Sequence, residues 1–173
     1  DAKLGDKIIP ISGLWASEGF TDVFSFEMLR GNPETMLSEP HSVVLTDETA
    51  EKIFGSSDPM GKTFQLGKED IYTVTGIIKK PPFNSHFTFG ALGSYITFMN
   101  KNGTGENGEK WKNAWDNMWM NYVYVKLEPN TKVEDVNQKL HALGETESEK
   151  YEHKTITASL QPLYGIMAGP DLS

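Results

Sequence analysis

Between Ser42 and Pro82 the sequence spells out a continuous run of alternating element types, and that run constrains the fold more than any other feature. Ser42–Leu45 (SVVL) reads as a short β-branched strand. Thr46 supplies a hydroxyl suited to an N-cap, and Asp47–Phe54 (DETAEKIF) follows as a helix with Ala50, Ile53 and Phe54 on one face. The two acids of its first turn suit the positive end of the helix dipole, and Gly55 stands where such a helix ends. Thr63–Leu66 and Ile71–Lys79 (IYTVTGIIK) then read as hairpin strands joined by Gly67-Lys68-Glu69-Asp70, with Pro81-Pro82 stopping the second. A chain containing this run needs a sheet for the strands and a place on that sheet for the helix.

The link inside the run, KIFGSSDPMGKT, superficially matches the phosphate-binding pattern G-x-x-x-x-G-K-[ST], in which backbone N–H groups cradle phosphate. Its details argue against that chemistry. Five residues, not four, separate Gly55 from Gly61. Asp58 would set a carboxylate beside phosphate charge, and Pro59 removes an N–H donor. A phosphate loop also follows a strand and opens a helix, whereas this one follows a helix and opens a strand. The physical reading is a helix cap at Gly55, a turn at Asp58-Pro59, and a strand entry at Gly61.

Elsewhere, Lys7–Ala16 (KIIPISGLWA) is expected to form a strand that Pro10 confines to a sheet edge. Phe20, Phe24, Phe26 and Leu29 precede a turn at Gly31-Asn32-Pro33. Ala91–Met99 is expected to be a helix, and Asn100–Gly108 a polar loop. The second half suggests a β-α-β unit. A strand at Asn121–Leu127 leads to a helix opened by the capping box Thr131-Lys132-Val133-Glu134. Val133, Val136, Leu140 and Leu143 stripe that helix, Gly144 is its expected end, and Glu145–Lys154 is a charged connection. Thr155–Leu160 returns as a strand with Ile156, Ala158 and Leu160 on one face. Strands and helices mix without strict alternation, so the expected class is α+β, with mixed sheets and short helices.

The chemistry the sequence supports is narrow. A formal net charge of −8 argues against a nucleic-acid surface, and the absence of cysteine removes disulfides and thiolate chemistry. No apolar run approaches a membrane span, and the chain opens at Asp1 without a methionine, as expected of a piece of a longer protein. His41, His86, His141 and His153 show no ligand spacing apart from His141 with Glu145, a pair that also suits a surface contact. No G-x-S-x-G elbow occurs, and Glu145, Glu147 and Glu149 read as a solvated run. The expectation is therefore no catalytic residue, no metal, no cofactor and no enzymatic activity. Trp111, Trp115 and Trp119 recur at i, i+4, i+8, with Ala114 and Met118 on the same helical face. Such a stripe packs against a sheet or presents aromatic anchors to a partner or a sugar.

Several signatures in order carry a resemblance. They are Phe24-Ser25-Phe26-Glu27-Met28-Leu29-Arg30-Gly31-Asn32-Pro33-Glu34-Thr35, Glu39-Pro40-His41-Ser42-Val43-Val44-Leu45-Thr46 and Ala50-Glu51-Lys52-Ile53-Phe54-Gly55. Asp58-Pro59-Met60-Gly61-Lys62, Tyr72-Thr73-Val74-Thr75-Gly76-Ile77 and Pro81-Pro82-Phe83-Asn84-Ser85-His86-Phe87 complete the series. From about residue 7 to residue 161 the sequence resembles the MacB-like periplasmic core domain of ABC-transporter permeases, in its MacB/FtsX-type, Bacteroidetes-like version. Thr21 and Phe83 depart from the usual pattern, the first where an aromatic and the second where a polar residue is common. The family's domain starts further upstream with a β-α unit not found in this sequence, so part of the membrane-proximal portion is expected to be absent.

The resemblance implies one extracytoplasmic domain over 1–173, lying between two membrane helices of a multi-pass inner-membrane parent. Within it, about 7–120 would be a distal mixed α/β subdomain and about 121–161 a membrane-proximal, porter-like portion. It also implies partners: a cytoplasmic ABC ATPase acting through the membrane helices, a second permease copy, and a periplasmic adaptor, lipoprotein or cell-wall protein. The implied function is mechanotransmission, in which ATP-driven movement is passed to periplasmic partners or exported substrate. A stand-alone carbohydrate- or peptide-binding module using the Trp stripe is the alternative reading, and a hydrolase using the Glu-rich surface a third.

Overall fold

The computed structural model describes residues 1–67, 70–82, 85, 87–103, 115 and 121–163. The chain divides into two compact units, Asp1–Glu109 and Lys110–Ser173. The division falls eleven residues before the boundary expected at 120.

The first unit is built on one mixed sheet of eight strands among the described residues. They are β1 (Ala2–Leu4), β2 (Lys7–Ile9), β3 (Gly13–Ala16), β4 (Met28–Gly31), β5 (Ser42–Thr46), β6 (Thr63–Leu66), β7 (Asp70–Ile78) and β8 (Ala91–Ser94). Helices α1 (Phe20–Val23), α2 (Asp47–Phe54) and α3 (Tyr95–Asn102) complete it. The strand order is β2-β1-β6-β7-β5-β8-β3, with β4 also pairing with β7. β7 is the spine. It pairs in parallel with β5 along one side, and antiparallel with both β6, through Asp70–Thr73, and β4, through Gly76–Ile78.

The connection between β2 and β3 dictates the shape of this sheet. The two strands are its opposite edges, six strand spacings apart, or about 29 Å if the sheet were flat. Only Pro10, Ile11 and Ser12 separate Ile9 from Gly13, a path that spans at most about 14 Å. The sheet therefore curls until its two edges approach. The expected strand Lys7–Ala16 is thus two edge strands broken at Pro10, whose ring ends the first.

One core lies on the face that carries Ala2, Val43, Leu45, Phe64, Tyr72, Val74 and Ala91, with Ala50 and Ile53 of α2 packed onto it. The opposite face holds Val44, Ile78 and Leu92 against Met36, Leu37 and Phe89. Alternate residues of β5 feed the two faces, so this strand is buried along its whole length. Opposite it, β7 carries a bulge: Val43 pairs with Val74 and Val44 with Gly76, leaving Thr75 as the extra residue. The Thr75 hydroxyl donates to the Met36 carbonyl at 2.6 Å, with the Val43 carbonyl a second acceptor at 3.2 Å.

Helix α2 forms over Asp47–Phe54 as its sequence predicts. The Thr46 side chain accepts the Thr49 N–H, and Gly55, at φ 63°, closes the helix by donating its N–H to the Glu51 carbonyl at 2.8 Å. The segment Ala91–Met99 differs from the helix expected of it. Ala91–Ser94 is the wholly buried strand β8, and α3 begins only at Tyr95. Ala91, Gly93 and Ser94 are small because the neighbouring structure comes close. A Cβ on Gly93 would lie 2.6 Å from the Trp15 ring, and the Ser94 hydroxyl donates to the Leu37 carbonyl at 2.7 Å.

In the second unit α4 spans Val133–Ser148. Its cap is Lys132 with no side-chain bond, so the expected capping box on Thr131 does not form; Thr131 instead donates its N–H to Glu128 in a turn. The helix also passes through Gly144 rather than ending there. A Cβ at Gly144 would meet the Ile156 carbonyl at 2.6 Å, so the glycine permits close approach of the returning chain. Among the described residues, neither 155–160 nor 121–127, each expected to be a strand, is paired in a ladder. The returning segment is tied down by side chains instead: Ile156 N–H to Ser148 Oγ and Leu160 N–H to Asn137 Oδ1, each at 2.7 Å. Ile156, Ala158 and Leu160 do share the less exposed face, as their spacing predicts. The class is α+β, a mixed sheet with short helices.

Candidate functional site

The stretch KIFGSSDPMGKT has its backbone committed to structure. Gly61, at φ 71°, donates its N–H to the Val74 carbonyl, and Val74 donates back to the Lys62 carbonyl, each at 2.9 Å. Asp58 Oδ1 accepts the Met60 N–H at 3.0 Å and the Arg30 guanidinium at 2.7 Å. The Met60 N–H holds this carboxyl below its ordinary range against the opposing effect of burial, and Arg30 adds to that lowering. The residue that most offended a phosphate loop is thus the acceptor that shapes the turn. The cradle's amides are already engaged: Gly55 and Ser57 with the end of α2, Met60 with Asp58, Lys62 with the Pro59 carbonyl and Gly61 with the sheet.

Beside this turn lies an open cleft of about 700 Å³, bounded by α2, the Gly61–Thr63 strand entry and the β1–β2 hairpin. Leu4, Ile53 and Phe54 give it apolar lining, and Lys7 and Lys62 bring ammonium groups. Lys62 Nζ stands 5.6 Å from the centre of the Phe54 ring. A second, smaller space of about 260 Å³ lies at the start of α2, where Lys80 bonds Glu48 at 2.9 Å.

Asp47 joins the start of α2 to the end of β7. Its carboxylate accepts the Lys80 and Glu48 N–H groups at 3.0 Å and pairs with Lys79 at 3.0 Å. Burial acts to raise the carboxyl, but the Lys79 ammonium and the two backbone donors outweigh it, and the net shift is downward. Across the sheet, Lys101 pairs with Asp70, and that bond, against some desolvation, raises the ammonium's pKa. Burial pushes the neighbouring Tyr72 phenol upward.

The described residues contain no group of three or more His, Cys, Asp or Glu side chains placed to hold a metal. His41 has a backbone role: at φ 61° it donates its N–H to Thr97 Oγ1 at 2.6 Å. His141, Glu145 and His153 are exposed, and His86 lies outside the described residues. Glu147 departs from the solvated run expected at 145–149. It is buried and bonded by Lys150 at 2.6 Å. No helix among the described residues is long and apolar enough to cross a membrane.

Of the tryptophan stripe, Trp115 sits in a turn with 37% of its surface exposed; Trp111 and Trp119 lie outside the described residues. Two aromatic features escape a reading by local period. Trp15 lies on Gly93, 41% exposed, with Phe98 at 5.9 Å. Phe20, Phe24, Phe26, Phe87 and Phe89 form one cluster, its closest pair 4.8 Å apart and Phe20 stacked on Phe26 at 5.3 Å. The density of phenylalanine before Gly31 was the available signal for the cluster; its partners sixty residues on were not.

The curled mixed sheet with its short helices defines a class of α+β domain. The chain belongs to the MacB-like periplasmic core domain family, whose model matches residues 2–143. It is thus a periplasmic domain of a MacB-like ABC-transporter permease. Among solved structures, a domain of a candidate permease protein from Porphyromonas gingivalis is similar at TM-score 0.59 and 20% identity, over 96% of this chain and 76% of that one. The periplasmic region of MacB from Actinobacillus actinomycetemcomitans is similar at TM-score 0.49 and 18% identity, over 75% of this chain and 53% of that one. The extracellular domain of the noncanonic ABC-type transporter YknZ from Gram-positive bacteria gives 0.46 and 19%, over 64% and 62%. The chain therefore spans less than two thirds of the last two structures. No curated protein matches it.

Proposed function

We propose that this domain is a non-enzymatic coupling element, which passes ATP-driven movement of its parent permease to periplasmic partners or exported substrate. The family match over residues 2–143 carries this reading. The parent is a multi-pass inner-membrane protein that works as a dimer with a cytoplasmic ABC ATPase, and its outer partner is an adaptor, a lipoprotein or a cell-wall protein. The unit Asp1–Glu109 takes the distal position and the unit carrying α4 the membrane-proximal, porter-like one. Trp111, Trp115 and Trp119 form the partner-facing element; the partial exposure of Trp115 supports that assignment.

The test is made in the full-length permease with its ATPase. Replacing all three tryptophans by alanine is expected to leave ATP hydrolysis intact while abolishing export or partner capture. Unchanged export would remove the tryptophans from the interface. Hydrolytic turnover by the domain itself would overturn the non-enzymatic reading. Saturable quenching of tryptophan fluorescence by a soluble glycan would favour a sugar-binding module instead.

A further inference from the structure

The cleft beside the Asp58-Pro59 turn combines three features of a small-ligand site. Its volume, about 700 Å³, falls within the range of such sites. Its lining is divided between apolar side chains, Leu4, Ile53 and Phe54, and polar groups that include the hydroxyls of Ser57 and Thr63. Its charge runs against that of the molecule: the chain carries −8 overall, yet the cleft presents Lys7 and Lys62 against the single acid Asp6.

Neither lysine is spent on an ion pair among the described residues. Asp58, the nearest acid in sequence to Lys62, feels its charge but gives its hydrogen bonds to Arg30 and the Met60 N–H. The Phe54 ring keeps the Lys62 ammonium above the apolar lining. The helix end that borders the cleft is the negative one, and the Gly55 and Ser57 N–H groups already serve the Glu51 and Phe54 carbonyls. Recognition of an anion therefore falls to the two ammonium groups and not to backbone amides. That arrangement disfavours a bare phosphate and suits a single carboxylate attached to an apolar body.

We propose that this cleft binds a small amphipathic carboxylate, its charge met by Lys7 and Lys62 and its apolar body laid against Leu4 and Phe54. The site is independent of the coupling reading and stands or falls separately.

Octanoate is the probe, titrated below its micelle concentration into the isotopically labelled 173-residue chain and followed by backbone amide shifts and by calorimetry. The expected result is saturable binding with shifts at Lys7, Phe54, Lys62 and Thr63. Octanamide, which lacks the charge, and inorganic phosphate, which lacks the apolar body, should each bind about tenfold more weakly or less. The double variant Lys7→Gln/Lys62→Gln should lose about tenfold in octanoate affinity with an unchanged unfolding midpoint, since both side chains are exposed. Octanoate affinity equal in wild type and double variant, octanamide binding as tightly as octanoate, or shifts confined to another surface would each overturn the proposal. Raised salt supplies a readout that needs no variant: octanoate should weaken and octanamide should not.

Discussion

Gly31 and Gly76 face each other across the β4–β7 pair, and each is glycine for its own reason. Gly31 sits at φ +100°, and a Cβ there would lie 2.6 Å from the Thr75 carbonyl. Gly76 has ordinary dihedral freedom but would press a Cβ against Met36 and Val44 at 3.2 and 3.3 Å. Gly31→Ala is accordingly expected to lower unfolding free energy by about 2 kcal/mol or more, read from the midpoint of urea unfolding. Thr75→Val keeps the shape of the bulge and leaves the Met36 carbonyl without that donor, for an expected loss of about 1–2 kcal/mol in the same assay. The motif Val74-Thr75-Gly76-Ile77 was legible as a strand. Its reason was not, because a bulge is a property of two strands in register, and the Met36 carbonyl that Thr75 serves is thirty-nine residues away.

At the level of single elements, α2 shows what a local signal can deliver. Cap, first-turn acids, apolar face and terminating glycine all lie within ten residues, and all do what their spacing predicts. Thr46→Ala should cost about 1–2 kcal/mol, since it removes both the cap to the Thr49 N–H and the 2.9 Å bond between the two hydroxyls. Asp47 makes the helix sensitive to acid. Its folded pKa lies below the unfolded value of about 3.9, so the stability it adds is complete above that value. That contribution fades as pH falls through the unfolded value towards the folded one. Wild type is expected to lose unfolding free energy over that interval, and Asp47→Asn to lose less of it in a pH series of thermal unfolding. β8 and α4 were misread for the opposite reason. A helix was read through Gly93 and another was ended at Gly144, yet each glycine is small to admit a neighbour from elsewhere in the chain. Gly144→Ala should therefore destabilise despite alanine's higher helix propensity. A gain in stability would show that the Ile156 segment can retreat from the helix at little cost.

For the molecule as a whole, the three-residue link between β2 and β3 sets the curl of the sheet, and that could not be read from residues 7–16 as one strand. The curl leaves both edges open on their outer sides among the described residues, with Ile8 65% exposed on β2. Two devices limit association there: β2 is three residues long, and Pro10 denies the next N–H. Pro10→Val restores that donor in a β-favouring residue, and the expected outcome is concentration-dependent self-association in sedimentation velocity. The tryptophans proposed for the candidate interface were picked out by spacing alone. Trp15 and the phenylalanine cluster, by contrast, are assembled from segments more than sixty residues apart.

The coupling role proposed above would place load on the fold, and the position of β1 bears on how that load is met. Ala2–Leu4 lies between β2 and β6, bonded on both flanks, and the Asp1 carbonyl also accepts the Gly67 N–H. Tension entering lengthwise at Asp1 would meet those bonds in shear, several at once, instead of peeling them open one after another. Strand β1 is thus moored as a rope is cleated, by lines on either side that tighten together.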